Sequence, residues 1–484
     1  MNFPAWDVPL LGGGMLIAIV AILHVFVAHF AVGGGLFLVW SEARAYRTRD
    51  DDLLRYVRAH STFFVFLVLV FGAVSGVGVW WTIALINPSA TSTLIHSFVW
   101  AWAIEWVLFF VEIAAAFIYY YGWDRLDRRT HLAVGWIYVA AAWLSLFVIN
   151  GILTFMLTPG RWLATHTLID GFFNPTMVPS LVVRTGSAIA LAGLYALLTA
   201  SWPGRHAPAI ANDDDLRQRL TRYAASWLLV GVAILPFAGA WYVSRIPDAA
   251  RLLTTGGSPT VMIFAALSIV LSGLIVLVAY VGPFRHPRSA NALVASILLV
   301  LGLGATGATE WVREAVRKPY VIYNYMYSNG IRQADRVAIG DRGILQTARW
   351  VDVQASGHDQ AKAAAAIFRV ECRSCHTIDG YNAVRPLVRK WSEPFIDYQL
   401  QRLDELKGYM PPFIGTEVER RALAHWLAEV GRRPPFSPLP VQPGSVVADL
   451  APPAVAPRAE DRGVVAAPGA PPRSNPPKRE EVAR

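Results

Sequence analysis

Long apolar runs, separated by short polar stretches, fill the first two thirds of this chain. Eight of them reach bilayer-spanning length, at roughly 12–40, 61–86, 95–121, 131–157, 177–201, 223–243, 259–282 and 290–312. Closed helices hide the backbone from lipid, so the pattern predicts an all-α, polytopic transmembrane bundle of about eight spans over residues 1–320. The pattern then changes. Residues 321–357 read as a linker whose Tyr320, Tyr323, Tyr325 and Tyr327 suit a membrane interface. Residues 358–433 read as a small all-α domain with an amphipathic terminal helix around Leu423–Leu427. From 434 the sequence turns Pro/Ala/Arg/Glu-rich up to Arg484 and predicts a disordered tail, because it cannot bury enough apolar surface to fold.

Composition agrees with a membrane protein: 55% of residues are hydrophobic, 16% are charged, and 18 are Trp. The start, Met-Asn-Phe-Pro-Ala-Trp-Asp, has no basic region and no small-residue cleavage site, so no cleaved signal is expected. Arginine sets the expected orientation. The loops after spans 1, 3, 5 and 7 hold fourteen arginines, among them Arg44, Arg58, Arg125, Arg129, Arg219 and Arg285. The loops after spans 2, 4 and 6 hold three, Arg161, Arg245 and Arg251. The first set therefore belongs in the cytoplasm of a bacterial inner membrane, with the N-terminus and the C-terminal domain on the periplasmic face. The formal charge of +9 is largely this cytoplasmic arginine and calls for membrane lipid, not nucleic acid.

Cys372-Arg-Ser-Cys375-His376 carries the clearest chemistry. Two thiols three apart, followed at once by histidine, form the attachment signature of a covalent haem c, with His376 placed as proximal iron ligand. They are the only two cysteines, and a zinc site would need further ligands at finger-like spacing. Met410, in Gly-Tyr-Met-Pro-Pro, follows His376 by 34 residues and is the expected distal ligand, with His425 as its rival. The segment thereby resembles a class I cytochrome c domain.

Ionisable residues within the spans are costly and mark candidate sites. His24 and His29 lie in the first span, Glu105 and Glu112 in the third, Arg184 in the fifth, and Glu310 and Glu314 near the end of the eighth. Glu105 and Glu112 are seven apart and share one helix face, as a proton relay requires; the competing reading is a single structural glutamate bonded to a neighbour. By itself an apolar-helix histidine such as His24 is more often a hydrogen-bonded core residue than a ligand.

Further motifs change that weighting. Ala103-Ile-Glu105, Tyr121-Gly-Trp-Asp-Arg-Leu126 with His131, Asn150-Gly151, Asn174-Pro175 and Glu314-Ala-Val-Arg317-Lys-Pro319-Tyr320 stand in order along residues 1–325. Together they resemble the cytochrome bd oxidase subunit I superfamily, of a type that is not fed by quinol and carries a fused cytochrome c domain. The resemblance implies that His24 ligates an active-site haem, either haem d or a second haem b. It also implies that Glu314 ligates a neighbouring haem b and that Arg317 holds its propionates. Met262 would match one ligand of a low-spin haem b, and Glu105 and Glu112 the acidic pair of the proton path. Three departures stand out. Arg184 replaces the second low-spin ligand, a histidine, and a guanidinium has no free lone pair for iron. That haem is therefore absent, ligated otherwise, or held by Met262 and a different residue, with Arg184 instead binding propionates or snorkelling outward. Only Ser244 to Pro259 connects spans six and seven, so the external quinol loop is missing. The ninth span is replaced by the haem c domain. His29 has no counterpart in the family pattern; a packing role is expected for it, with a ligand to a second metal near His24 as the alternative.

The expected function is a membrane-bound respiratory oxidoreductase, the oxygen-reducing subunit of a cytochrome bd-like terminal oxidase fed through its own periplasmic haem c. Its partners would be oxygen, a periplasmic donor such as a cytochrome c, and a second membrane subunit or a second copy of the chain. A membrane electron conduit without oxygen chemistry is the alternative, and a haem c sensor or assembly subunit is a third reading.

Overall fold

Eight long apolar helices form the bundle: α1 (Gly13–Thr48), α2 (Asp51–Ile86), α3 (Val99–Gly122), α4 (Arg128–Phe155), α5 (Met177–Ser201), α6 (Asp214–Arg245), α7 (Pro259–Arg285) and α8 (Ala292–Ala315). They come from a computed structural model that describes residues 5–201, 213–351 and 360–439. The start of the helix is set by its cap. Asp50, Asp127, Asp213, Ser258 and Asn291 each accept a hydrogen bond from a backbone N–H of the first turn that follows. The caps of α2 and α6 lie well before the apolar runs begin, since polar first turns led by Asp51, Asp52, Asp214 and Asp215 extend the helices past lipid. These helices are therefore longer than the spans read from hydropathy.

α1 lies at the centre, packed on α2, α4, α5 and α8. The bundle core includes Phe30, Phe37, Leu194, Leu197, Leu220 and Tyr56, whose hydroxyl donates to the Ala196 carbonyl at 2.7 Å. The most extensive helix pairing is α5 with α6. A Cβ on Gly231 would overlap the backbone of Ala190, so only glycine permits that approach. Within α2, residues Phe66–Gly72 widen into a π-helical segment. At the arginine-rich end, Arg58 of α2 pairs with Asp124 after α3, and Arg219 of α6 pairs with Asp50 before α2 at 2.9 Å.

Beyond α8 the chain forms a two-stranded hairpin, β1 (Tyr320–Ile322) and β2 (Met326–Tyr327), and then a small helical domain. Its main helices are α9 (Gln360–Glu371), α10 (Val384–Val388), α11 (Glu393–Leu400) and α12 (Glu417–Arg432). Ile367, Phe368, Ile396, Leu423 and Trp426 form its core, joined by Tyr327, Ile331, Ile339 and Ile344 from the stretch that reads as a linker. Buried Glu419 fastens that stretch by accepting from the backbone N–H groups of Ile344 at 3.0 Å and Leu345 at 2.9 Å, while it also accepts from the N-cap Thr416 N–H of its own helix at 2.8 Å. The expected tail lies outside the described residues beyond 439.

Eight crossings return the chain to the end where α1 begins, and the helical domain docks there. Tyr381 N–H donates to the Leu10 carbonyl at 2.7 Å and Arg369 to the Ala5 carbonyl at 3.0 Å, while Arg373 pairs with Asp7. A Cβ on Gly380 would collide with the Leu10 backbone. Asn87, at the end of α2, donates to the Ser328 carbonyl at 3.2 Å.

Candidate functional site

The Cys372–His376 segment is a tight turn at the end of α9, with Cys375 and His376 N–H both donating to the Cys372 carbonyl, at 3.1 and 2.9 Å. His376 Nδ1 lies 3.0 Å from the Asn382 carbonyl, which can only accept. The proton therefore sits on Nδ1, and Nε2 keeps the lone pair that an iron ligand needs. Burial pushes the His376 imidazole down and the Cys372 thiol up, so both favour their neutral forms. Met410 is partly buried after a turn closed by its N–H to the Lys407 carbonyl at 2.8 Å. His425 stands on an exposed flank of α12, 2.9 Å from Glu393, and is engaged at the surface. The thiol pair and the free imidazole nitrogen fit haem c, and Met410 would supply a thioether if it came opposite His376.

Beside Cys372, Glu371 is buried and accepts from Asn329 at 2.9 Å and from the Ile414 N–H at 3.2 Å. Burial pushes its carboxyl up to about 8, outweighing the two donors that favour the charge.

In the bundle, His24 Nδ1 lies 3.1 Å from Ser75 Oγ. Ser75 spends its own proton on the Phe71 carbonyl at 2.7 Å, so it accepts from His24. This fixes the Nδ1–H tautomer and leaves Nε2 open. Gly76 faces the ring, and a Cβ there would come within 3.2 Å of its Cε1. Both residues follow directly on the π-helical segment of α2. A haem iron held at this position would find Nε2 of His24 free to bind it. His29 donates from Nδ1 to the Val25 carbonyl at 2.8 Å, and its buried Nε2 has no hydrogen-bond partner.

A charged cluster ends α8. Glu310 accepts from Arg313 at 2.8 Å and lies within electrostatic range of Arg184 and His29. Glu314 pairs with Arg317 and, at 3.3 Å, with Lys318. Cys375 Sγ lies 3.9 Å from Ser328 Oγ, on the hairpin that follows Lys318. Met262 is not part of this cluster: it is 43% exposed on α7, whereas Arg184 is buried against α6 and α8.

Glu105 and Glu112 belong to a longer ladder between α3 and α4. Ser145 donates to Glu105 at 3.3 Å, and the Tyr138 hydroxyl lies 3.1 Å from Glu112. A third rung, toward the arginine-rich end, joins Glu42 of α1 to the same two helices. Glu42 lies 2.7 Å from His131 Nδ1 and accepts from the Tyr119 hydroxyl at 2.7 Å, while His131 Nε2–H donates to the Tyr119 carbonyl at 2.9 Å. Glu42 is fully buried and His131 nearly so. The rungs repeat every seven residues, through Tyr119, Glu112 and Glu105 on α3 and His131, Tyr138 and Ser145 on α4, a rise of about 10.5 Å each. Reading acidic spans alone missed Glu42, Tyr119 and Tyr138, although the heptad spacing of polar groups on two successive spans was a usable signal. Arg313, Tyr242 and Lys318 were also missed.

Residues 15–250 match the family described as cytochrome bd terminal oxidase subunit I, and residues 359–427 match the cytochrome c oxidase, cbb3-type, subunit III family. Among solved structures, bd oxidase from Geobacillus thermodenitrificans superposes with a TM-score of 0.54 at 16% sequence identity. The match covers 64% of this chain and 87% of that one. No curated protein matches.

Proposed function

Because this chain joins a membrane bundle of the cytochrome bd terminal oxidase subunit I family to a cytochrome c domain, we propose that it is the oxygen-reducing subunit of a bd-like oxidase supplied through its own haem c. A respiratory haem protein of the membrane is the coarser statement. The observation that supports the finer one is His24, whose Nδ1 is held by Ser75 so that Nε2 stays free for an iron in the bundle. The helical domain of the same chain docks beside the hairpin that sets Ser328 Oγ 3.9 Å from Cys375 Sγ. In this reading Cys372, Cys375, His376 and Met410 hold haem c, Glu314 and Arg317 hold a haem b, and His24 holds the haem that meets oxygen, whether haem d or a second haem b. Bound there, the haems supply electron transfer and oxygen binding.

The chain's own residues do the rest. Ser75 orients His24 so that Nε2 is available. Arg317 and Lys318 hold negative charge at the haem c end of α8. Glu42, Glu112 and Glu105, with Tyr119, Tyr138 and Ser145, offer proton-exchanging groups from the arginine-rich end inward, and protons reach the oxygen site from the cytoplasm by that route. The haem c domain faces the periplasm and takes electrons from a periplasmic donor such as a cytochrome c. The broad apolar surface of α3, which includes Trp106, Phe109 and Phe110, faces lipid or a second membrane subunit.

Oxygen uptake by the purified protein, with reduced cytochrome c or with quinol as donor, tests the reading. Uptake with cytochrome c and none with quinol is expected, and His24→Ala should abolish carbon monoxide binding while the haem c spectrum stays intact. No carbon monoxide shift in the unmutated protein would replace this reading with that of an electron conduit.

A further inference from the structure

Glu371 is the last residue of α9 and the neighbour of the first attachment cysteine, Cys372. It is 8% exposed. A carboxyl buried at the carbonyl end of a helix is costly, and it is tolerated where donors meet it. Here each oxygen meets one, and the two donors come from different parts of the chain. Oε2 accepts from the Asn329 side chain at 2.9 Å, and Oε1 accepts from the Ile414 N–H at 3.2 Å.

The Asn329 side of this link leads to the bundle. Asn329 Oδ1 accepts from the Ile331 N–H at 3.2 Å, so both ends of its amide are committed. The turn around it is seated just after α2, where Asn87 donates to the Ser328 carbonyl and a Cβ on Gly330 would come within 3.2 Å of Ser89. The Ile414 side leads to the expected distal ligand. Ile414 is 1% exposed, and Pro411, Pro412 and Phe413 separate it from Met410. Each proline has a fixed φ and no N–H, so the stretch is stiff and offers few places to tie it. The Met410 N–H bonds back to the Lys407 carbonyl, and among the described residues the next backbone N–H with a partner is that of Ile414.

We propose that Glu371 is a positioning residue, which ties the loop of Met410 to the hairpin seated on the bundle. The seating of the domain then sets how firmly Met410 meets the iron of haem c. This rests on the reading of Met410 as distal ligand. One side chain joins three things: the hairpin through Asn329, the attachment turn through Cys372, and the methionine loop through Ile414. With either hydrogen bond gone, the hairpin no longer holds the loop through this side chain. Met410 then depends on the Lys407 turn before it and on the packing of Ile414, and it leaves the iron more often.

The test uses the full-length protein in detergent, with its covalent haem c content measured by pyridine haemochrome analysis. Three properties of haem c are read: its midpoint potential, the absorption band that methionine gives ferric haem, and carbon monoxide binding to the ferrous form at the haem c bands. Asn329→Ala cuts the link on the hairpin side. It should raise the fraction of haem c open to carbon monoxide roughly tenfold, as for the loss of one buried hydrogen bond. The methionine band should weaken and the potential should fall. Glu371→Gln keeps the volume, yet its amide oxygen can serve only one of the two donors, and it should show the same change. Met410→Ala marks the end point. If it alters none of the three properties, Met410 is not the distal ligand, and the proposal falls with that reading. If Met410→Ala alters them while Asn329→Ala and Glu371→Gln lose only thermal stability, the link is merely structural; the proposal is overturned and the Met410 reading stands. A change in Glu371→Gln without one in Asn329→Ala overturns the coupling to the hairpin. If Glu371→Gln fails to assemble, Asn329→Ala decides: altered band and potential support the proposal, and unaltered values overturn it.

Discussion

Replacing Glu42 should separate the structural role of the third rung from its chemical one. The carboxylate is fully buried and accepts two short hydrogen bonds, from Tyr119 and from the His131 side. Because His131 Nε2–H is committed to the Tyr119 carbonyl, Nδ1 either carries a second proton toward a carboxylate or accepts one from a carboxylic acid. In Glu42→Gln the amide oxygen can still accept from Tyr119, and the amide nitrogen can donate to a neutral Nδ1. Every polar atom keeps a partner, and only charge assistance is lost, about 1–2 kcal/mol. Glu42→Ala strands the Tyr119 hydroxyl and His131 Nδ1 at about 1–3 kcal/mol each and leaves a cavity, so about 3–6 kcal/mol in all. Equilibrium unfolding of the detergent-solubilised protein in a denaturing surfactant, followed by tryptophan fluorescence, reads the difference. A stable Gln variant with slowed proton uptake during turnover would identify the carboxyl as a proton carrier. If Gln costs as much as Ala, or Ala costs under about 1 kcal/mol, the hydrogen-bond assignment is wrong.

Two further outcomes follow from the helical domain. Met410→Ala should lower the haem c midpoint potential and open an iron position to carbon monoxide, because a thioether opposite histidine raises the potential; an unchanged potential would move the distal role elsewhere. Glu371, pushed up to about 8 by burial, holds its proton in the folded domain across pH values where the unfolded chain has lost it. Stability should therefore decline by a few kcal/mol as pH rises from about 4.5 to about 8 and flatten above that. Thermal unfolding of Glu371→Gln should show a shallower dependence, and identical profiles for the two proteins would exclude this carboxyl as the source.

Much of the architecture was legible because lipid imposes one strong rule. Every apolar run found its helix, and the arginine-rich loops do share one end of the bundle. What hydropathy could not read was where helices leave lipid. Asp50 and Asp213 set the starts of α2 and α6 through capping, which has no apolar signature. The same limit hid the structure of residues 321–351, where short apolar positions such as Ile339 and Ile344 are recruited into the core beside α12. His24, Glu314 and the CxxCH turn were legible as conspicuous residues in an apolar or sparse context, while the haem roles expected of His24 and Glu314 rested on the family resemblance. Their neighbours were not. Ser75, Tyr138 and Lys318 are ordinary residues at membrane depth or edge, and only packing reveals that they orient, bridge or neutralise the conspicuous ones. Arg184 was visible as an anomaly, yet its partners sit on two other helices.

The end of α8 explains how the two halves of the chain can work as one device. Exposed ion pairs such as Arg373 with Asp7 hold a docked domain weakly, so position must come from elsewhere. It comes from backbone contacts of Leu10 with Tyr381 and Gly380, and from the hairpin that carries Ser328 beside Cys375. The hairpin begins directly after Lys318 and Pro319, so the segment that sets the domain's place continues the same turn that carries Glu314 and Arg317. A shift of that turn would move the bundle carboxylate and the thiol loop together and keep their separation nearly constant. Under the proposed function, a donor domain fused through this turn keeps its place beside the bundle, which a donor that binds and leaves does not.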